Sequence, residues 1–230
     1  MVRWALVAVV AAVLALTACG SDYHYVSNRG GGAYFKVPSS WEVFEEEPVL
    51  RARDASLSAD ETEELADTLW IRGFDSAREP AVEHVFDPGT GAPSGYAEVR
   101  EIRPRDRDSL SYADLRRVGF PFQDPGAGGP IDPLMYDDEE GPIRVLEYDD
   151  GLQDGALGDL ELRDGLRGIR LRTRVAVDPR SPVIVEQINV VDAGTETRFS
   201  FVVACSRDCW EANEDLIGTV ADSWTLEQRT

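Results

Sequence analysis

Alternation between apolar and polar side chains is strongest in the last third of the chain. Leu171, Thr173, Val175 and Val177 alternate with Arg170, Arg172 and Arg174, which predicts a half-buried antiparallel strand with an arginine ladder on its wet side. Residues 182–191 and 197–204 continue the pattern and are joined by the turn text Asp192-Ala193-Gly194-Thr195, so a three-strand meander is expected. Trp210, Ile217, Val220 and Ala221 then fall on one side of a helix of about fifteen residues, followed by a short strand over 223–227. Nearer the start, 33–44 reads as two extended segments joined at a turn, Pro38-Ser39-Ser40, with Trp41 as a core aromatic. Ser58 with Glu61, and Ser111 with Asp114, are capping boxes that each open a short helix. Residues 69–74 and 96–102 read as strands, 86–95 as a loop, and 121–142 hold too many prolines and glycines for regular structure. No repeat and no domain-scale linker interrupts this order. The expectation is one α+β domain over 33–230, an antiparallel sheet with a few helices on its faces and a long Pro/Gly loop near 121–142.

The first twenty residues follow a different pattern. Arg3 precedes WALVAVVAAVLAL, residues 4–16, an unbroken apolar run. At 1.5 Å per residue it spans about 20 Å, short of the roughly 30 Å hydrocarbon core of a bilayer, and reads as an export signal over 1–18. Leu16-Thr17-Ala18-Cys19-Gly20 follows, and this resembles the lipobox of bacterial lipoproteins. The resemblance implies that the Cys19 thiol receives diacylglycerol, that the chain is cut before Cys19, and that the new amino terminus can be acylated in turn, with palmitate as the expected chain. It places the mature protein at the cell membrane, lipid-anchored on the extracytoplasmic face. Residues 19–32, ending in Gly30 to Gly32, then read as a lipidated N-terminus and flexible tether.

Charge bears on the same question. The 230 residues hold 43 Asp and Glu against 23 Lys and Arg, a net charge of −20, and Lys36 is the sole lysine. No basic stretch supports nucleic-acid binding or adsorption to anionic lipid. Acyl chains at about 0.8 kcal/mol per buried methylene hold a protein without basic residues, and an acidic body is expected to stand off the leaflet.

Candidate chemistry is sparse. With Cys19 lipidated, Cys205 and Cys209 remain, and in an oxidising exterior they are expected to pair. Zinc at this CxxxC lacks a second ligand pair, since His24 and His84 are the only histidines, so no metal site is assigned. Asp149, Asp150, Asp154, Asp159 and Asp164 lie among Gly151, Gly155, Gly158 and Gly165, a calcium-tolerant composition without the EF-hand order. Gly30 to Gly32 stand outside any phosphate-loop pattern, and HExxH and GxSxG do not occur. A Ser-His-Asp arrangement would have to use His84, and no carboxylate pair for hydrolysis is singled out. No catalytic residue and no cofactor is assigned, so the protein is not expected to be an enzyme. The arginine ladder invites an anion site, but cross-strand pairing to acids such as Glu186 is its expected fate.

AYFKVPSSWEVF (33–44) and SFVVACSRDCWEANEDLIGTVADSWTLE (200–227) resemble the opening and closing of PsbP-like α/β domains found in actinobacterial lipoproteins. The resemblance covers about forty residues at the two ends. It implies a sheet sandwich that acts as a binding or accessory protein of the cell envelope, with an unidentified envelope protein as partner. A carrier of a small ligand or lipid is the first alternative, and an envelope hydrolase with an unrecognised carboxylate site the second. A carrier needs a cavity of roughly 300 Å³ or more, an accessory protein an exposed apolar patch.

Overall fold

A computed structural model of the chain describes residues 21–226 except 29, 31, 88, 90, 123, 125, 127, 150–159 and 162–164. Cys19, the leader before it and most of the Asp/Gly stretch therefore lie outside the described residues. In chain order the strands are β1 (Tyr23–Ser27), β2 (Ala33–Pro38), β3 (Glu42–Phe44), β4 (Leu69–Asp75), β5 (Ser94–Glu101), β6 (Ile143–Asp149), β7 (Leu160–Glu161), β8 (Arg167–Val177), β9 (Val183–Val191), β10 (Thr197–Ser206) and β11 (Thr225–Leu226). The α-helices are α1 (Glu46–Arg53), α2 (Ala59–Thr68), α3 (Tyr112–Arg117) and α4 (Arg207–Asp222), with 3-10 turns at Val82–Phe86 and Pro104–Asp106. All strand pairs are antiparallel. Eight strands form one sheet, ordered β3-β4-β5-β10-β9-β8-β6 with β7 beside β8, and β1, β2 and β11 form a second sheet of three. The expected α+β class, an antiparallel sheet with helices on its faces in one domain, is what the chain adopts.

Both faces of the large sheet are buried, and the period of two along each strand decides which residues meet which cover. On one face Trp70, Phe74, Phe199, Phe201, Ile188 and Val190 pack against Phe35 and Val37 of β2 and Trp210, Ile217 and Val220 of α4. Phe201 sits at the centre, its ring 5.7 Å from Phe35, 5.6 Å from Phe74 and 5.8 Å from Trp224. On the other face Ile71, Val175, Val185 and Val202 pack against Val49 and Leu50 of α1 and Phe120, Phe122 and Ile131 of the following loop. Leu115 of α3 covers Ile169 and Leu171 on that face.

Three expectations are corrected or made more specific. First, part of the presumed tether is structure: Tyr23–Ser27 pairs along its length with β2, and Val26 packs against the core, which covers an edge that β2 would otherwise leave open. Second, the segments on either side of Pro38 do not share a sheet; β2 lies in the small one and β3 at the edge of the large one, so the turn carries the chain between layers. Third, the arginine ladder is not on the wet side. Helix α4 lies over it: Arg170 pairs with Glu186 and Asp222, and Arg172 pairs with Glu186 and Glu214 and stacks over Trp210 at 5.1 Å. Glu186, 1% exposed, takes up both arginines, which is the cross-strand pairing expected of them.

Both capping boxes form, at Ser58 with Glu61 and at Ser111 with Asp114. Helix α1 escaped pattern reading because Pro48 sits inside it. In a first turn, however, proline removes no intrahelical hydrogen bond, and Glu46 and Glu47 at the start with Arg51 and Arg53 at the end complement the helix dipole. Cys205, the penultimate residue of β10, is joined to Cys209 in the first turn of α4 by a disulfide with Cα atoms 6.0 Å apart. Closing so short a loop contributes about 2 kcal/mol in the chain-entropy model. Native protein should take up no alkylating agent at these two cysteines until reduced, and reduction should lower the melting temperature by several degrees; two freely alkylated thiols before reduction would reject the bridge.

Candidate functional site

Strand β5 carries Glu98 and Arg100 two residues apart, hence on one face, the face roofed by α1 and α3. In the β5–β10 register Arg198 stands directly opposite Arg100, and Glu98 stands diagonally from Arg198. Two like charges directly opposed across a sheet repel, so this placement is unfavourable by itself. A third guanidinium comes from α1. Val49 and Leu50, both fully buried, fix that helix on β4 and the Val82–Phe86 turn, and Arg53, three residues after Leu50, projects from the same side onto β5. Glu98, 1% exposed, accepts from Arg53 Nη1 through Oε2 and from Arg198 Nη2 through Oε1, both at 2.5 Å. Burial would raise the Glu98 pKa, but the charges and hydrogen bonds of Arg53 and Arg198 outweigh it and hold the carboxyl below its usual value.

Arg100 is different. Among the described residues its guanidinium makes no hydrogen bond and no ion pair. Burial lowers its pKa first, and repulsion from Arg198, Arg53 and Arg103 adds to that against the attraction of Glu98. Arg198 Nε is likewise buried without an acceptor. Tyr96 lies beside them with its pKa pushed up to about 12, by burial first and Glu98 after it, so it remains a neutral phenol at physiological pH.

These groups floor a cleft of about 810 Å³. Its walls are apolar, from Phe86, Leu110, Phe120, Pro121 and Val202, and its rim carries Asp106, Asp114 and Arg117. The rim charges are already occupied, Asp106 by Arg103 at 2.6 Å and Asp114 by Arg117 at 3.5 Å. One wall is α3, a helix of six residues held by strand β9. Asn189 Nδ2 donates to the carbonyls of Leu115 at 3.0 Å and Val118 at 2.9 Å, and Gln187 Nε2 donates to Arg116 O at 2.8 Å. The orphan carbonyls at the helix end are thus satisfied by two side-chain amides of β9. Gly119 follows with φ of 78°, and a Cβ there would stand 2.6 Å from Val202 Cγ2, so the chain turns down to the sheet only because the residue is glycine.

Of the residues weighed for catalysis in the sequence, His84 is placed beside a buried carboxylate. Its Nδ1 is 2.7 Å from Oδ2 of Asp75, which is fully buried and also accepts from the amides of Ala77 and Ala81. Ser94 lies nearby, but its hydroxyl donates to the His84 carbonyl at 2.8 Å and does not meet the imidazole, so the trio lacks a nucleophile facing a base. The Asp75 carboxylate ties the Val82–Phe86 turn to β4, which is a structural task. His24 Nε2 lies 3.1 Å from the Ser39 carbonyl. Among the described residues no group of three or more His, Cys, Asp or Glu is arranged to hold a metal ion, and no helix is long and apolar enough to cross a membrane. A second hollow of about 510 Å³ lies at one end of strands β4, β5 and β10, between Trp70, Phe199 and Gly32, with acids at Asp67, Glu101 and Asp192.

Sheet order, the small covering sheet and the helices define an α+β sandwich of antiparallel sheets. Among solved structures the chain is similar to cyanobacterial PsbP (CyanoP) from Synechocystis sp. PCC 6803, with 15% identity, a TM-score of 0.46, and coverage of 91% of this chain and 97% of that one. It is also similar to LpqN, involved in cell envelope biogenesis of Mycobacterium tuberculosis, with 12% identity, a TM-score of 0.39, and coverage of 90% and 91%. The Saccharomyces cerevisiae Ran-binding protein Mog1p is a third, with 10% identity, a TM-score of 0.39, and coverage of 90% and 96%. No family model matches the chain, and no curated protein does. At such scores these likenesses lend it neither ligand nor partner.

Proposed function

We propose that the chain is a lipid-anchored, extracytoplasmic binding protein of the bacterial cell envelope that holds a small ligand and performs no catalysis. The observation that carries the binding half is the cleft over β5 and β10, larger than the roughly 300 Å³ a carrier needs, with apolar walls and polar groups converging on its floor. The anchor rests on the lipobox at Cys19 after an apolar run too short to span, and the Cys205–Cys209 disulfide suits an oxidising compartment. An accessory role through an envelope protein is the second reading. What favours it is the outward face of the small sheet, where Tyr25 is 71% and Tyr34 41% exposed beside Lys36.

The anchor is tested by cell fractionation and intact-protein mass. Wild-type protein should partition with membranes and carry a diacylglycerol-sized mass increase on a chain beginning at Cys19, and Cys19→Ala should abolish both. Membrane retention of the variant, with no lipid mass on the wild type, would reject the anchor without bearing on the cleft.

A further inference from the structure

The cleft floor holds three arginines, Arg53, Arg100 and Arg198, against one carboxylate, Glu98, whose two oxygens are already taken by Arg53 and Arg198. Of the other charged residues that line the cleft, Arg117 pairs with Asp114, and Asp106 with Arg103 and Arg105, which lie outside the lining. A local excess of positive charge is thus maintained in a protein whose net charge is −20. Acids were abundant enough to neutralise it, as Glu186, Asp222 and Glu214 neutralise the ladder on the opposite face of the same sheet. Donors are also left over. Among the described residues the Arg100 guanidinium and the Tyr96 hydroxyl donate to nothing, and Arg198 Nε is buried with no acceptor. Unspent donors in a partly dehydrated place are unfavourable, and an arginine opposed to another adds repulsion. An acceptor-only group with negative charge relieves both.

We propose that this cleft binds a small amphiphilic anion, a carboxylate or phosphate head on an apolar body, with the head on Arg100 and the Tyr96 hydroxyl and the body against Phe86, Phe120 and Pro121. Arg100 is the residue that recognises the head, because its planar fork offers parallel donors that no protein group uses. Arg53 and Arg198 contribute field more than contact, their inner nitrogens being held by Glu98. The head-to-wall order follows from where the lining residues sit: Arg100 and Arg198 lie on β5 and β10 and Arg53 reaches Glu98 from α1, while Phe86, Phe120 and Pro121 belong to the segments outside the strands. This inference rests on the reading of the cleft as the ligand site and adds the ligand's chemical class.

The test is titration calorimetry on the full chain in a nonionic detergent with four probes: phenyl phosphate, benzoate, inorganic phosphate and neutral benzyl alcohol. Phenyl phosphate or benzoate should bind at one site, at least roughly tenfold more tightly than benzyl alcohol and more tightly than inorganic phosphate, and more weakly as salt is raised. Arg100→Gln should weaken the bound anion roughly tenfold or more, and Arg100→Lys, which keeps the charge and loses the fork, should fall between. Without ligand, Arg100→Gln should melt no lower than wild type, since it removes a repulsion and breaks no bond; a structural arginine would do the opposite. Anion binding that ignores both Arg100 variants would overturn the proposal. Equal binding of benzyl alcohol and the anions would overturn the anion class while keeping the cleft as a ligand site. Failure of every probe to bind would overturn the proposal and remove the support for the carrier reading as well.

Discussion

Glu98→Gln is expected to be the most damaging single polar substitution in the molecule, lowering stability by about 3 kcal/mol, which for a domain of this size is on the order of 6–12 °C in melting temperature. The variant keeps the shape of the side chain and removes the one charge that holds Arg53 and Arg198 together. The figure sits at the low end of what breaking a buried pair costs, because the Arg53 side chain is 37% exposed and water screens its half, while that of Arg198 at 15% has less relief. Adding Arg198→Met to Glu98→Gln should recover part of the loss, because the opposed arginines are then reduced by one. The pH dependence follows from the same pair. The carboxyl is held below its unfolded value near 4.3, so its contribution is present above about pH 4.3 and disappears as pH falls through the lower folded value. The stability difference between wild type and Glu98→Gln, read from melts at neutral and acid pH, should therefore shrink on acidification. A difference that holds constant to pH 2, or a variant as stable as wild type at pH 7, would show that Glu98 is not ionised in the folded state.

Phe201→Ala is the second large effect, about 3–5 kcal/mol, for a reason that involves no charge. Phe201 is fully buried at the point where β10 meets β2 and the segment after α4, and its ring contacts Phe35, Phe74 and Trp224. Truncation opens a cavity that three rings from different elements cannot all close. The loss should appear as a melting temperature lower by on the order of 10 °C and a weakened near-ultraviolet circular dichroism signal. Phe201→Leu, which keeps most of the volume, should lose less. If Phe201→Ala melts within 2 °C of wild type, the aromatic cluster is not the centre of the core.

The two sites differ in how far the sequence reveals them. Alternation over 170–204 identifies the meander, and the two capping boxes identify α2 and α3, because in those places side-chain spacing alone determines the local structure. Phe201 belongs to that legible part. The cleft does not. Glu98 and Arg100 alternate with Ala97 and Val99, and a strand with that pattern reads as having a wet face. What dries the face is α1, hidden by Pro48, and α3, whose docking depends on Gln187 and Asn189 of β9. Two amides on the same face of a strand rich in Val and Ile are the available signal, since buried polar side chains there must find a hydrogen-bond partner. The arginine ladder is the more visible pattern, with its members two residues apart, yet its charges are already spent on Glu186, Glu214, Asp222 and Glu147. Arg53, Arg100 and Arg198 are spread over the chain, so only the fold assembles them.

Strand β1 begins at Tyr23, four residues after Cys19. At no more than about 3.6 Å per residue that is a leash of roughly 14 Å. A lipid on Cys19 would therefore moor the small sheet within headgroup range and leave the domain little latitude to tumble or to reach upward. Lys36 Nζ, 4.6 Å from the centre of the Tyr23 ring, and the exposed Tyr25 and Tyr34 form the flank nearest that mooring. The cleft lies on the far side of the large sheet from this flank. A short mooring would thus act as an orienting device as well as an address, setting the mouth of the cleft toward the aqueous side, where a ligand released from elsewhere in the envelope would arrive.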